Sequence, residues 1–509
     1  MNFKNFYKIV MLLFMVTIAI SCEDKGSGEA PILVVSTKEA TFEPEGGTST
    51  FTIEANSKWT IENEALWLQI DKAAGDAGTT TVTLTTLSND SGVTRPVKIR
   101  VIANNGQARV IYILQAPNLY PNYNLSPKPA DATGMSSTAV ELAAKMTMGV
   151  NIGNTMEAWR KNGDVIVSDE TAWGNPKVTE SYIQFLKATG FNAVRIPCSW
   201  NQGNLSDASK MKIDPVWLNR VKEVVGWCVA NDMYVMLNIH WDGGWLESKE
   251  LSDGTQTHNF DPSSSRKNVV NAIQKALWEQ IATAMRDFDE HLFFAGSNEP
   301  AADNAQEMAI LNSYHESFIK AVRSTGGRNT YRVLVVQGPG TNASKTYDLM
   351  TIPSDPTPNR MMVEVHEYSP SQFCFVDEEV LGTWKVPVFY WGAGNHSTIE
   401  PERNATYGEE DEIADSFNKL KEKFISKGIP VVLGEYAAMR RNTSNNAKFI
   451  PLDTAKHNKS VDDWTTFVTK QCHTNGVVPF YWEIGNILNR NNNTIKDQAM
   501  IDAMKAGLN

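Results

Sequence analysis

Two glutamates stand at the ends of short apolar runs: Glu299 in Asn298-Glu299-Pro300 and Glu435 in Leu433-Gly434-Glu435-Tyr436. Two carboxyl groups facing each other across a sugar can hydrolyse a glycoside, one protonating the leaving oxygen and the other attacking the anomeric carbon. In retaining enzymes they stand about 5–5.5 Å apart. Other polar residues end similar runs: Arg195 in Val-Arg-Ile-Pro, His240 in Asn-Ile-His-Trp, His366 and Tyr368 in His-Glu-Tyr, and Trp482. Any one of them alone reads as the first solvated residue of a loop. Two carboxylates, two histidines, an arginine and an amide together read as one rim. Such a pair needs one carboxyl ionised and the other protonated at working pH, so the two are expected to have divergent pKa values. Glu364, Glu367 and Glu483 alternate with or flank the inward positions and are read as bystanders.

Eight elements must position these residues. From Ala139 onward, short apolar runs alternate with amphipathic helical stretches, the pattern of repeated βα units around a parallel sheet. The runs begin near Met148, Phe191, Tyr234, Leu292, Arg332, Met361, Ile429 and Val477. Eight such units predict a (β/α)8 TIM barrel, whose active site lies at the C-terminal ends of its strands. Before the second run, Lys187 to Gly190 reads as a helix end with Gly190 in the left-handed C′ position. Trp173, Trp241 and Trp245 fall on rim loops, and Trp482 followed by Trp245 are the expected stacking platforms for sugar rings.

The N-terminal part is different. Residues 31–117 are rich in Thr, Val and Ile with period-two alternation, as in 79–86 (TTTVTLTT) and 97–102 (VKIRVI), and turn signals divide the strands at short intervals. This predicts a small all-β, immunoglobulin-like sandwich. Its two tryptophans, Trp59 and Trp67, are read as core residues of a spacer, with a carbohydrate-binding module as the alternative. Residues 118–134 hold several prolines and are expected to form a stiff linker, with the α/β barrel domain occupying 135–509. Lys4 and Lys8 precede an apolar run from Ile9 to Ile20 that is too short to span a bilayer, so residues 1–21 read as an export signal. A net charge of -11 without a cationic run excludes a phosphate-binding surface and hence a nucleic-acid partner. Cys198, Cys228, Cys374 and Cys472 show no short repeated spacing and the eight histidines lie far apart, so neither a metal nor another cofactor is expected.

The barrel pattern resembles glycoside hydrolase family 5, over residues 135–509. Asn298-Glu299-Pro300 matches that family's acid/base motif and Leu433-Gly434-Glu435-Tyr436 its nucleophile motif, while Arg195, His240, His366, Tyr368 and Trp482 fill its remaining invariant positions. The resemblance implies a retaining mechanism. It also implies that Arg195, Asn298 and Tyr368 bond the nucleophile or the sugar 2-hydroxyl, which favours an ionised Glu435 beside a protonated Glu299, that the histidines line the subsite, and that Trp482 stacks on the ring. The stretches 149–155, 170–176 and 240–245 resemble subfamily 4, endoglucanases acting on xyloglucan, mixed-linkage glucan and cellulose. That adds Asn154, Trp173 and Trp245 to the expected substrate contacts. Residues 31–117 resemble the BACON domain, and Ala19-Ile20-Ser21-Cys22 resembles a bacterial lipobox with Cys22 lipidated. Glu23-Asp24 resembles a surface-export signal. Together these imply a monomeric outer-membrane, cell-surface lipoprotein cutting β-1,4-glucan, with xyloglucan preferred. Mixed-linkage glucan or cellulose as substrate, a β-mannanase, and a non-catalytic glycan-binding barrel are the competing readings.

Overall fold

The computed structural model describes residues 30–249, 259–263, 265–380, 382–441 and 449–509. The leader read at 1–21 and the lipidation site Cys22 lie outside the described residues. Two compact units divide the chain after Asn118.

In the first unit, Leu33–Val35, Gly47–Ala55, Gly78–Thr86 and Leu68–Ile70 form one four-stranded sheet. Glu39–Phe42, Ala108–Gln115, Arg95–Ala103, Trp59–Glu62 and Ala74–Gly75 form a second. Thr-rich alternation does what period two predicts: in Gly78–Thr86, Val82, Leu84 and Thr86 are buried while the residues between them are not. Trp59 is 1% exposed in the shared core, and Gly75 lies against its indole, where a Cβ would come within 2.3 Å of the ring. Trp67 is half-buried, with the Arg95 guanidinium 4.5 Å above its ring. Arg95 donates to Gln115 Oε1, and the Gln115 amide donates in turn to the carbonyls of Glu43, Pro44 and Leu87.

In the second unit the eight runs form a closed parallel barrel in sequence order. Its strands are β1 (Gly149–Asn151), β2 (Ala193–Ile196), β3 (Tyr234–Asn238), β4 (Leu292–Ala295), β5 (Leu334–Asn342), β6 (Met361–Glu367), β7 (Val431–Tyr436) and β8 (Val477–Tyr481), with β8 pairing back to β1. The helix Glu180–Thr189 ends at Gly190 with φ 113° and its N–H on the Leu186 carbonyl, which turns the chain toward β2. Inward residues in the lower barrel are apolar, among them Ala193, Met236, Phe293, Met362, Val432 and Val478. The short helix Ala139–Lys145, capped by Thr138 and Glu141, contributes Leu142 to that same cluster. Among the described residues no helix is long and apolar enough to cross a membrane.

The stretch read as a linker, 118–134, is not free. From Leu119 it belongs to the barrel unit. Tyr123 N–H donates to Glu279, Arg286 donates to the Ser126 carbonyl, and Lys128–Ala130 pairs in parallel with Gly326–Gly327. Proline composition sets stiffness, but these main-chain groups found partners on the barrel. All four cysteines of the described residues are buried free thiols.

Candidate active site

Strand parity and one irregularity place the charged residues. Along β6, Met362, Glu364 and His366 share a face two residues apart, so Glu364 points inward below His366 and is not a bystander. Along β7, Val432 and Gly434 share the inward parity and Glu435 is out of phase with them. The β6–β7 register shifts between Val365 and His366, and such a bulge re-aims a side chain. Gly434 is required at this crossing because a Cβ there would lie 2.0 Å from Glu364 Oε1.

Arg195 is fully buried and joins four strands and the segment that follows β4. Its Nε lies 2.9 Å from Glu364 Oε1. Its Nη1 donates to Glu435 Oε1 at 2.8 Å and Asn151 Oδ1 at 3.0 Å, and its Nη2 donates to Asn298 Oδ1 at 2.7 Å. The Tyr368 hydroxyl donates to the other Glu435 oxygen at 2.9 Å. Glu435 is thus held at both oxygens. Opposite it, Glu299 Oε1 lies 2.7 Å from His366 Nδ1, and His366 Nε2 lies 3.2 Å from Glu364 Oε1. One oxygen of Glu299, one of Glu435 and a His366 nitrogen lie within 4.8 Å of one another. That spacing matches a nucleophilic displacement by one carboxylate; an inverting enzyme needs roughly 6.5–9.5 Å to fit a water.

The charges are distributed differently from the expectation. Burial opposes a charge on His366, yet Glu435, Glu299 and Glu364 around it push its pKa up to about 10. Burial also raises Glu299, but the hydrogen bond and charge of His366 hold its carboxyl below the ordinary value. Burial pushes Glu435 up, against the His366 and Arg195 cations. The site's proton therefore resides on His366 in the Glu299 pair, because the hydrogen bond and charge between the two outweigh the burial of the Glu299 carboxyl, whereas at Glu435 burial prevails. Counting Arg195 and Tyr368 alone leaves out that burial. Glu299, His366 and Glu435 are also the one group among the described residues spaced to hold a metal ion. To bind an ion there, His366 would first have to release a ring proton that its three carboxylate neighbours hold in place. His240, lowered by burial and by the Arg195 and His366 cations, is neutral. It stacks on Trp482 at 5.5 Å with the planes 9° apart, giving the floor a flat aromatic patch.

One predicted contact lies elsewhere. Trp245 is 5% exposed, packs in the barrel core and donates to Asp242 Oδ2 at 2.9 Å, so it is not a stacking platform. Asp242 accepts the Trp200, Asn201 and Gln202 N–H groups, and this knot pulls the indole inward. Trp241 stands in the open instead, 50% exposed. Trp173 is on the surface, 43% exposed, edge-on to Trp159. Asn154 takes a left-handed turn position at φ 58°, its N–H on Glu157, whereas Asn151 bonds Arg195. Sequence reading also missed Glu247. It is 2% exposed, its Oε1 accepts the Asn298 N–H at 2.8 Å and its carbonyl accepts the Ala301 N–H, so it brackets the acid/base segment. Two residues beyond Trp245 in a rim loop, it carried no periodic signal.

Comparison with known proteins agrees with this geometry. The family model described as cellulase (glycosyl hydrolase family 5) matches residues 157–505, and a viral BACON domain model matches residues 33–116. The chain is 31% identical to the xyloglucan-specific endo-beta-1,4-glucanase BoGH5A of Bacteroides ovatus, over 98% of this chain and 96% of that protein. The solved Bacteroides ovatus GH5 xyloglucanase in complex with a XXXG heptasaccharide aligns at a TM-score of 0.67 and 30% identity, covering 94% of this chain and all of the other. A GH5 xyloglucan-specific beta-1,4-glucanase from a ruminal metagenomic library aligns at 0.63 and 36% identity, covering 73% and 96%. A GH5-4 broad specificity endoglucanase from Bacteroides salanitronis aligns at 0.61 and 29% identity, covering 76% and 98%.

Proposed function

Since the chain belongs to glycosyl hydrolase family 5, a family of retaining glycoside hydrolases, we propose that it is an endo-β-1,4-glucanase cutting plant β-glucan backbones, xyloglucan first among them. The observation that carries the reading is the facing pair, Glu299 and Glu435, with oxygens within 4.8 Å and unlike partners. Glu435, aimed by Arg195 and Tyr368, attacks the anomeric carbon and forms the glycosyl-enzyme bond. Glu299 gives a proton to the departing oxygen, then takes one from the water that hydrolyses the intermediate, so configuration is retained. His366, 2.7 Å from Glu299, holds that proton in the free enzyme, passes it to Glu299 for donation to the leaving oxygen, and takes back the one Glu299 draws from the water. The Trp482 and His240 faces receive the sugar ring at the point of cleavage.

Likeness to a xyloglucan-specific relative over nearly the whole of both chains supports the branched substrate. The broad specificity neighbour supports a second reading, action on unbranched glucans as well. Proton NMR of the first product anomer, together with reducing-end release from xyloglucan, barley glucan and mannan, tests both. The expected result is a β-anomer, with xyloglucan cut and mannan intact. An α-anomer overturns the mechanism, and cleavage of mannan alone overturns the substrate.

The proposal extends to location: a monomeric surface lipoprotein anchored through Cys22. Its support is the charged start, the 9–20 apolar run and the small residues before Cys22. Radiolabelled fatty acid is expected to enter the wild type and not Cys22→Ser, and label in both overturns the anchor.

A further inference from the structure

The loop after β3 carries a second buried acid close to the one that donates the proton. Glu247 is 2% exposed, and its two carboxyl oxygens fare unequally. Oε1 accepts the Asn298 N–H at 2.8 Å, while Oε2 is buried with no hydrogen-bond partner among the described residues. A buried polar atom left open is costly, and an apolar side chain of similar volume would avoid the cost. Stability alone therefore does not account for an acid at this position.

What Glu247 holds is the main chain on both sides of Glu299. Its carboxyl takes the N–H of the residue before, Asn298, and its own carbonyl takes the N–H of Ala301, two residues after, at 3.0 Å. Other partners fix different parts of the same segment. Arg195 donates to Asn298 Oδ1, and His366 bonds the Glu299 carboxyl. From β5, Gln337 Oε1 accepts the Ser297 N–H at 3.0 Å and the Gly340 N–H donates to the Pro300 carbonyl. Glu247 reaches both flanks of Glu299 from a single residue.

The clamp is itself anchored. Two residues before it, Trp245 donates to Asp242, and two residues after it, Lys249 pairs with Asp303 and Glu307 on the chain that follows Glu299. The loop thus meets the acid/base segment at residues 298, 301 and 303. Burial pushes the Glu247 carboxyl up to about 8, against the Glu299 and Asn298 N–H groups, so at neutral pH it adds no second negative charge beside Glu299.

We propose that Glu247 is a positioning residue for the acid/base, clamping residues 298–301 so that Glu299 presents its proton to the departing glycosidic oxygen. It rests on the role given to Glu299 above. In the first step Glu435 bonds the anomeric carbon, the glycosidic bond breaks, and the leaving oxygen takes the Glu299 proton. A displaced main chain lengthens that transfer, whereas a leaving group that departs as a stable anion needs no proton.

The test uses the full chain. Glu247→Ala removes the acceptor, Glu247→Asp draws it back by one methylene, and Glu247→Gln keeps it. Melting temperatures are measured first. Then kcat/KM, which reports the bond-breaking step, is read on the β-glucan that the wild type cuts best and on 2,4-dinitrophenyl β-cellotrioside, whose phenolate leaves unprotonated. Glu247→Ala and Glu247→Asp are expected to lose about tenfold to a hundredfold on the glucan and about twofold or less on the aryl glycoside. Glu247→Gln should recover most of that loss. Glu299→Ala is the reference, with the same split on a larger scale, about a hundredfold or more. If Glu247→Ala melts below the assay temperature, Glu247→Asp carries the comparison. Equal losses on both substrates, no loss on either, or a Gln variant as poor as Ala overturns the clamp while the role of Glu299 stands. A Glu299→Ala variant without the split overturns the acid/base reading and the clamp together.

Discussion

The sandwich and the barrel bury their largest polar-capable side chains to opposite ends. In the sandwich, Trp59 is sealed under Gly75, Trp67 is covered by Arg95, and Arg95 is absorbed by Gln115, so polar groups finish the edge of an apolar core. In the barrel, Arg195 and Glu364 are fully buried at the centre with His366 and Glu435 around them. Charges in that position cost several kcal/mol each to desolvate and are recovered only where every group is paired. A fold seeking stability alone would place leucines there. The expense marks the upper barrel as the working region.

The sharpest way to break this contrast is Glu435→Gln, expected to lower kcat on β-glucan by about 10⁴-fold with the melting temperature held. Reducing-end assays read it, and a loss under about tenfold would remove Glu435 from the chemistry. Glu364→Gln comes next: it strips one buried partner from both Arg195 and His366, and denaturant unfolding should lose roughly 3–5 kcal/mol. Unchanged stability would mean the charges are not a coupled unit. His366→Asn has a smaller effect with a defined sign. The cation lowers both Glu435 and Glu299, so its removal raises both carboxyls and moves the acidic limb of the kcat/KM profile to higher pH. A limb that moves to lower pH contradicts the charge assignment. Smallest in activity is Trp59→Ala, which should cost the sandwich about 3–5 kcal/mol. Calorimetry would show it as an earlier transition, with kcat/KM unchanged. A parallel fall in catalysis would mean that the sandwich is not merely a spacer.

Much of the barrel was written in local pattern. Short β-rich apolar runs between helical stretches set each strand's start within two residues of the observed one, as at Phe191 against Ala193 and Ile429 against Val431. Strand-end polarity then pointed to Arg195, Glu299, His366, Tyr368 and Glu435, because parallel barrels deliver all C-terminal ends to one rim. What escaped depends on partners distant in sequence. Glu364 has the parity of His366, but its value comes from Arg195, 169 positions away in the numbering. Trp245 looked like a platform until Asp242 claimed its indole, and Glu247 gained its role from a backbone N–H of another strand's loop. The inward turn of Glu435 depends on a register shift, which no single-strand periodicity encodes.

The docked stretch after Asn118 also says where the molecule can be cut. A barrel begun at Met135 gives up the Lys128–Ala130 pairing and the bonds that Tyr123, Ser126 and Asn124 make to Glu279, Arg286 and Ser324. Gly326, whose Cβ would meet the Lys128 carbonyl at 1.8 Å, would keep its awkward φ of 67° with nothing left to justify it. The usable seam for separating the halves is therefore the single peptide bond between Asn118 and Leu119.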